Sequence, residues 1–126
     1  MLELENVHKS FRHYGNIINV LEGIDLAIQP RESLAITGAS GVGKSTLLNI
    51  MGTLEPPTEG LVRFDDQNIN NMDEQDLCRL RNHDIGFVFQ FHHLLPELNA
   101  QENTVMPALI ARSNRKRARE MAMPMR

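Results

Sequence analysis

The segment Gly38–Ser45 limits what this chain can fold into more than any other part of the sequence. It reads Gly-Ala-Ser-Gly-Val-Gly-Lys-Ser and fits the pattern of a glycine, four residues, and then Gly-Lys-Ser or Gly-Lys-Thr. Glycine at positions 41 and 43 lets backbone N–H groups approach an anionic phosphate, and the N-terminus of a following helix adds partial positive charge. We therefore expect a phosphate-binding loop between a strand and a helix.

The residue types in this loop indicate how a nucleotide would be held. The Lys44 ammonium would neutralise the outer phosphates, the Ser45 hydroxyl would bind Mg²⁺, and Thr46 would add a backbone donor. An ordinary glycine-rich turn is the alternative, and the expected strand and helix on either side disfavour it. The pattern does not distinguish kinases, GTPases and transport ATPases. The residues expected to bind the nucleotide here are Gly38, Ser40, Gly41, Val42, Gly43, Lys44, Ser45 and Thr46.

Apolar residues before and after the loop predict an α/β fold with an antiparallel region at the N-terminus. Two alternating segments that end before Pro30 favour antiparallel strands with one buried face. The run Ser33–Thr37 predicts a buried central strand, and a helix is expected from Lys44 until Gly52. The alternating residues are Leu2, Leu4 and Val7 in the first segment and Ile24, Leu26 and Ile28 in the second.

Further strands and helices are predicted beyond residue 60. Val62–Phe64 alternates before a turn-forming segment and should join the antiparallel region, whereas Ile85–Phe89 predicts another buried strand. Two helices are expected, the second interrupted by Pro107 and running into the basic stretch Arg112–Arg119. The capping pairs expected for them are Asn71 with Glu74 and Asn99 with Glu102.

Composition and charge exclude several classes of function. Sixteen acidic and 13 basic side chains give a net charge of −3, which does not suit a nucleic-acid partner. Cys78 is the single cysteine, so no internal disulfide is possible. No signal peptide or apolar run of about 20 residues is present, so we expect a cytoplasmic chain.

The sequence resembles the ABC ATPase family in the order of its predicted strands and motifs. The resemblance rests on the N-terminal strands, the loop through Thr46, and the segment Ile85–Gln90. It implies a truncated P-loop NTPase of the ABC type, with ATP and Mg²⁺ as cofactors. Gln90 is similar to the family's Q-loop glutamine, which reaches the metal and the attacking water. The resemblance thus implies that Gln90 is the candidate catalytic residue and a metal ligand beside Ser45. Phe11 lies where the family places an aromatic that stacks on adenine, with Tyr14 as the substitute and a plain core aromatic as the alternative interpretation.

The segment after Gln90 resembles the lipoprotein-releasing ATPases of that family. The similar residues are Phe91–Glu97, followed by Glu102-Asn103 and Met106-Pro107. The resemblance implies that integral-membrane transporter subunits contact the loop Gln90–Glu97. It also implies a homodimer of ATPase subunits, located on the cytoplasmic side of the inner membrane through those partners.

The resemblance covers residues 2 to about 120 but matches only the first half of a family ATPase domain. We find no Ser-Gly-Gly signature, no later apolar strand ending in Asp-Glu, and no switch histidine in the sequence. Residues 1–126 are therefore expected to form a partial nucleotide-binding domain, and hydrolysis by this chain alone is not expected. A soluble P-loop kinase or GTPase, and a nonfunctional remnant, stay open as alternatives.

Overall fold

A computed structural model describes residues 1–122 of the chain. The chain divides into two compact units, Met1–Leu77 and Cys78–Arg126. The first unit contains the β-sheet and the phosphate-binding segment, and the second contains the last two helices. Among residues 1–122, no helix has both the length and the apolar character needed to span a membrane.

The first unit is built on a four-stranded antiparallel sheet with the order β2-β1-β3-β4. The strands are β1 (Leu2–His13), β2 (Asn16–Ile28), β3 (Glu59–Phe64) and β4 (Gln67–Asn68). Tyr14 and Gly15 join β1 to β2 in a two-residue turn with φ values of 47° and 82°, as in a type I′ hairpin. A short 3-10 helix, Ile69–Asn71, follows β4.

The register of the first hairpin confirms the alternation seen in the sequence. The apolar residues of the two segments face one another in the pairs Leu2 with Ile28, Leu4 with Leu26, and Val7 with Ile24. The prediction for Val62–Phe64 is also confirmed, because β3 pairs antiparallel with β1. The buried core of this unit consists of Leu4, Val7, Leu21, Leu47, Ile50, Val62 and Ile69.

A bulge in β1 requires glycine at position 60. The β1–β3 register shifts between Glu5 and His8, and Asn6 has a φ of 47°. Gly60 has a φ of 92°, and a Cβ there would lie 2.7 Å from the Glu5 carbonyl oxygen and closer still to that of Asn6. Only a residue without a side chain fits this crossing of the two backbones.

The segment around the phosphate-binding loop forms the predicted helix but not the predicted strand. Helix α1 spans Lys44–Met51 and is capped at its C-terminus by Gly52, whose N–H bonds Leu48 O. Residues Ser33–Thr37 form no strand and are mostly exposed, with Leu34 46% exposed. A buried parallel strand needs hydrogen-bonding neighbours, and within residues 1–122 no strand pairs with this segment.

Two helix boundaries differ from their predictions. Helix α2, Glu74–His83, is capped by Asp73, whose Oδ1 accepts a bond of 2.8 Å from Asp76 N, whereas Asn71 lies in the 3-10 helix. The expected single C-terminal helix is two helices, α3 (Ala100–Ile110) and α4 (Arg115–Ala122). Pro107 lies inside α3 without ending it. The break comes at Arg112, whose φ is 59°.

The predicted strand Ile85–Phe89 does not form either. Its residues have no regular secondary structure and no strand partner in the described part of the chain, and Val88 is fully exposed. The rings of Phe87 and Phe89 stack with their centroids 5.3 Å apart. The prediction for Asn99 and Glu102 is confirmed, since both bonds of a capping box are present at the start of α3.

Candidate functional site

The phosphate-binding loop takes the backbone shape that its glycines allow. Gly41 has a φ of 80°, and Gly43 has a φ of 98° with a ψ of 7°, which is left-handed, immediately before α1 begins at Lys44. Backbone N–H groups that follow such residues turn toward one side and form a concave site for anions. The loop therefore directs backbone donors and the positive end of α1 toward the same region.

Gly43 also fixes the loop against the sheet. A Cβ at this position would lie 2.9 Å from Val20 Cγ1, 3.0 Å from Val20 O and 3.1 Å from Leu21 Cδ2. At Gly41 a Cβ would meet no atom within 4 Å. The loop is thus packed closely on β2 at Gly43 and open at Gly41, where a ligand could approach.

The side chains at the start of α1 supply charge and oxygen ligands. Lys44 Nζ donates bonds of 3.0 Å to Gly38 O and 2.6 Å to Ala39 O, so its ammonium lies across the beginning of the loop. Ser45 is exposed and Thr46 is partly buried. No acidic residue lies in the first turn of α1 to oppose an anion. This part of the chain can hold a multiply charged phosphate chain.

Phe11 lies on β1 and is 38% exposed, so it is not a buried core residue. Its cross-strand neighbour is Ile18 on β2, the strand on which the loop packs. Tyr14, at the hairpin turn, is 93% exposed. Phe11 can therefore offer a ring face from the same unit that holds the phosphate-binding loop.

Lys9 belongs to this region and was missed by sequence reasoning. It is only 9% exposed, and its Nζ lies 3.0 Å from Glu55 Oε1, donates a 2.8 Å bond to Pro56 O, and lies 5.0 Å from the centroid of the Phe11 ring. A lysine in a strand is normally exposed, and Glu55 lies far away in the sequence, so no local signal marks this cluster.

Gln90 belongs to the second unit, where it is exposed in the loop before α3. The apolar side chains after it are exposed as well, with values of 69% for Phe91, 58% for Leu94 and 44% for Leu95. Asn103 organises this loop, which the sequence did not reveal. Its Oδ1 accepts a 2.8 Å bond from Leu95 N, and its Nδ2 donates to the carbonyl oxygens of residues 95, 98 and 99. The end of the loop from Leu95 to Asn99 is therefore anchored to α3.

Curated proteins are similar to this chain in sequence. The chain is 50% identical over 122 residues to the lipoprotein-releasing system ATP-binding protein LolD of Syntrophus aciditrophicus, covering 97% of this chain and 55% of that protein. It is 50% identical over 111 residues to LolD of Geobacter metallireducens, covering 88% of this chain and 49% of that protein. The chain thus spans about half the length of the curated relatives it matches.

Solved structures of ABC cassettes match the fold. The dimeric structure of MJ0796, a bacterial ABC transporter cassette, has a TM-score of 0.88 with 39% identity, and the match covers 95% of this chain and 53% of that one. The cassette bound to ADP and Pi in a post-hydrolysis state has a TM-score of 0.89 with 40% identity, covering 98% and 54%. The profile of the family described as ABC transporter matches residues 21–125. With residues 21–125 matched by the family profile and its fold shared with these cassettes, this chain belongs to the ABC transporter family.

Proposed function

We propose that this chain is the ATP-binding part of an ABC transporter ATPase that drives lipoprotein release from the inner membrane. The observation that carries the proposal is the loop itself, with left-handed Gly43 leading directly into α1 and the Lys44 ammonium lying across its beginning. The relatives named LolD, at 50% identity, support the lipoprotein-releasing type. Family membership favours this function over a soluble kinase or GTPase.

The residues of the loop suit ATP with Mg²⁺. The backbone of Gly38–Gly43 and the Lys44 ammonium would hold the phosphates, and the exposed Ser45 hydroxyl is the hard oxygen ligand that Mg²⁺ accepts beside phosphate oxygens. When bound, the metal would neutralise charge on the phosphates. We propose Gln90 as a metal ligand beside Ser45 and as the catalytic residue. Thr46 would provide a backbone donor, and the Phe11 ring would stack on adenine.

The exposed loop Gln90–Glu97 is the proposed contact for integral-membrane transporter subunits. Three large apolar side chains in it are exposed, and Asn103 bonds its backbone at Leu95, so the loop offers apolar side chains to a partner helix. In the intact protein two ATPase subunits would pair as a homodimer, on the cytoplasmic side of the membrane and peripheral to it. Nucleic acid is not a proposed partner.

Nucleotide binding tests the proposal directly. MgATP titrated into the purified chain and followed by calorimetry should give saturable binding, which Lys44→Ala should weaken by at least about tenfold, because a charge-assisted phosphate contact is lost. Lys116→Ala is the matched control, since Lys116 is an exposed lysine on α4. Equal binding by wild type and Lys44→Ala, or no binding by the folded wild-type chain, would contradict the proposal.

Crosslinking tests the membrane partner. With Cys78 replaced by serine, a cysteine at Leu94 or Leu95 in the intact transporter should crosslink to the membrane subunits. A cysteine at Tyr14, which is 93% exposed on the hairpin turn, should not. Crosslinks from Tyr14 alone would place the partner elsewhere.

A further inference from the structure

We propose that Lys9 is a positioning residue for the nucleotide base, because it holds the Phe11 ring from one face and leaves the other face to the adenine. The inference rests on the proposed function of this chain as an ATP-binding protein. It adds a residue that acts through Phe11 and makes no contact of its own with the nucleotide.

The ammonium of Lys9 is fixed by partners other than the ring. It lies 3.0 Å from Glu55 Oε1 and donates a 2.8 Å bond to Pro56 O, while the side chains of Lys9 and Glu55 are only 11% and 26% exposed. A buried ammonium is stable only where charged and polar partners surround it, so these two contacts determine where the charge lies.

The position of that charge restricts the Phe11 ring. The distance of 5.0 Å from Nζ to the ring centroid lies within the range of a cation–π contact, which places the ammonium over a ring face. Phe11 is nevertheless 38% exposed, so part of the ring is open to solvent. A planar purine can stack on the exposed side while the ammonium keeps the ring from rotating away.

Lys9 also connects the ring to the phosphate-binding loop. In the β1–β2 register it pairs with Leu21, whose Cδ2 would lie 3.1 Å from a Cβ on Gly43. Glu55 lies just beyond the other end of α1, where its N–H bonds Asn49 O at 3.3 Å. Lys9 thus joins the strand that carries Phe11 to the segment after α1. The positions proposed for the base and for the phosphates are therefore fixed relative to each other.

The test compares ATP with inorganic tripolyphosphate, which lacks a base, both with Mg²⁺ and measured by calorimetry on the full chain. Lys9→Met keeps most of the aliphatic stem and removes the charge. We expect it to weaken ATP binding about three- to tenfold, because the loss is limited by the energy with which one cation–π contact holds the ring in place, and to change tripolyphosphate binding by less than about twofold. Lys9→Arg, which retains a cation, should restore most of the ATP affinity. Glu55→Gln should weaken ATP binding in the same selective way.

A double-variant comparison separates positioning from a general structural effect. In a Phe11→Ala background, Lys9→Met should cause no further loss of ATP binding, because the ring through which it acts is gone. Arg63→Met removes a different cation that pairs with carboxylates on the same sheet, and it should leave both ligands unaffected. Circular dichroism confirms that each variant is folded, and Glu55→Gln takes the place of Lys9→Met if that variant is not.

The outcomes distinguish this inference from the proposed function. If Lys9→Met weakens the binding of ATP and tripolyphosphate equally, or weakens ATP binding further in the Phe11→Ala background, the proposed role of Lys9 is overturned. The proposed function is not affected by either result. A folded wild-type chain that binds neither ligand would overturn the proposed function and this inference with it.

Discussion

Replacing Gly43 by alanine tests how closely the phosphate-binding loop packs on β2. The new Cβ would have to fit 2.9 Å from Val20 Cγ1 and 3.0 Å from Val20 O, at a φ of 98°. The matched variant is Gly41→Ala, where φ is 80° but no atom lies within 4 Å of the new Cβ. The two variants therefore share the backbone strain and differ in the steric contact.

The expected free energies follow from these differences. A left-handed backbone destabilises a non-glycine residue by about 1–2 kcal/mol. Alanine also lowers the conformational entropy of the unfolded chain, which stabilises the folded state by about 0.4–1 kcal/mol. Gly41→Ala should therefore lower the free energy of unfolding by about 0.5–1.5 kcal/mol in total. Overpacking against Val20 adds about 1–3 kcal/mol, so Gly43→Ala should be more destabilising by that amount.

Urea unfolding followed by circular dichroism measures both values. Adding Val20→Ala to Gly43→Ala removes the Cγ1 contact but not the carbonyl contact, so it should recover only part of the loss. If Gly43→Ala lowers the free energy of unfolding no more than Gly41→Ala does, the packing of the loop on β2 does not limit side-chain size at position 43, and the reasoning fails.

Three further predictions concern activity, the sheet and α3. The chain alone should not release phosphate from MgATP at a useful rate, because its sequence has no Ser-Gly-Gly signature, no strand ending in Asp-Glu and no switch histidine; steady turnover that disappears in Lys44→Ala would contradict this. Gly60→Ala should destabilise the first unit by more than about 3 kcal/mol or prevent folding, because the new Cβ would overlap the Asn6 carbonyl. The control is Gly86→Ala, whose Cβ would have no atom within 4 Å, and it should be near neutral in urea unfolding. Asn99→Ala should cost about 0.5–2 kcal/mol in the same measurement, because it removes the side-chain bond of the capping box; an unchanged midpoint would show that the cap does not stabilise α3.

Patterns set by neighbouring residues were predicted well from the sequence. Alternating apolar residues gave the antiparallel strands of the first hairpin, and Asn99 with Glu102 gave the start of α3, because both depend on residues close in the chain. The start of α1 after Gly43 was predicted for the same reason, whereas the binding of phosphate by the loop stays a prediction. A strand, in contrast, depends on a partner that the local pattern cannot supply. Ser33–Thr37 and Ile85–Phe89 have the apolar character of buried strands but no partner among residues 1–122.

Long-range polar contacts were the other part that the sequence could not reveal. The pairing of Lys9 with Glu55 joins residues from different elements, and lysine and glutamate are usually exposed, so neither residue type indicates burial. The same holds for Asn103, since asparagine is usually exposed, and nothing near it in the sequence indicates that its side chain bonds the backbone of the preceding loop. The roles of Gln90 and Phe11 toward a nucleotide stay predictions.

The two bonds that Lys44 makes to Gly38 O and Ala39 O turn nucleotide binding into an exchange. A ligand does not meet a free ammonium but competes with two neutral carbonyl groups for it. The ammonium is attracted to a phosphate by full charges and to a carbonyl only by a dipole, so a ligand with several negative charges is favoured in this competition. A weakly charged ligand gains little over the carbonyls it displaces. The charge of the ligand therefore determines how much nucleotide binding gains from Lys44.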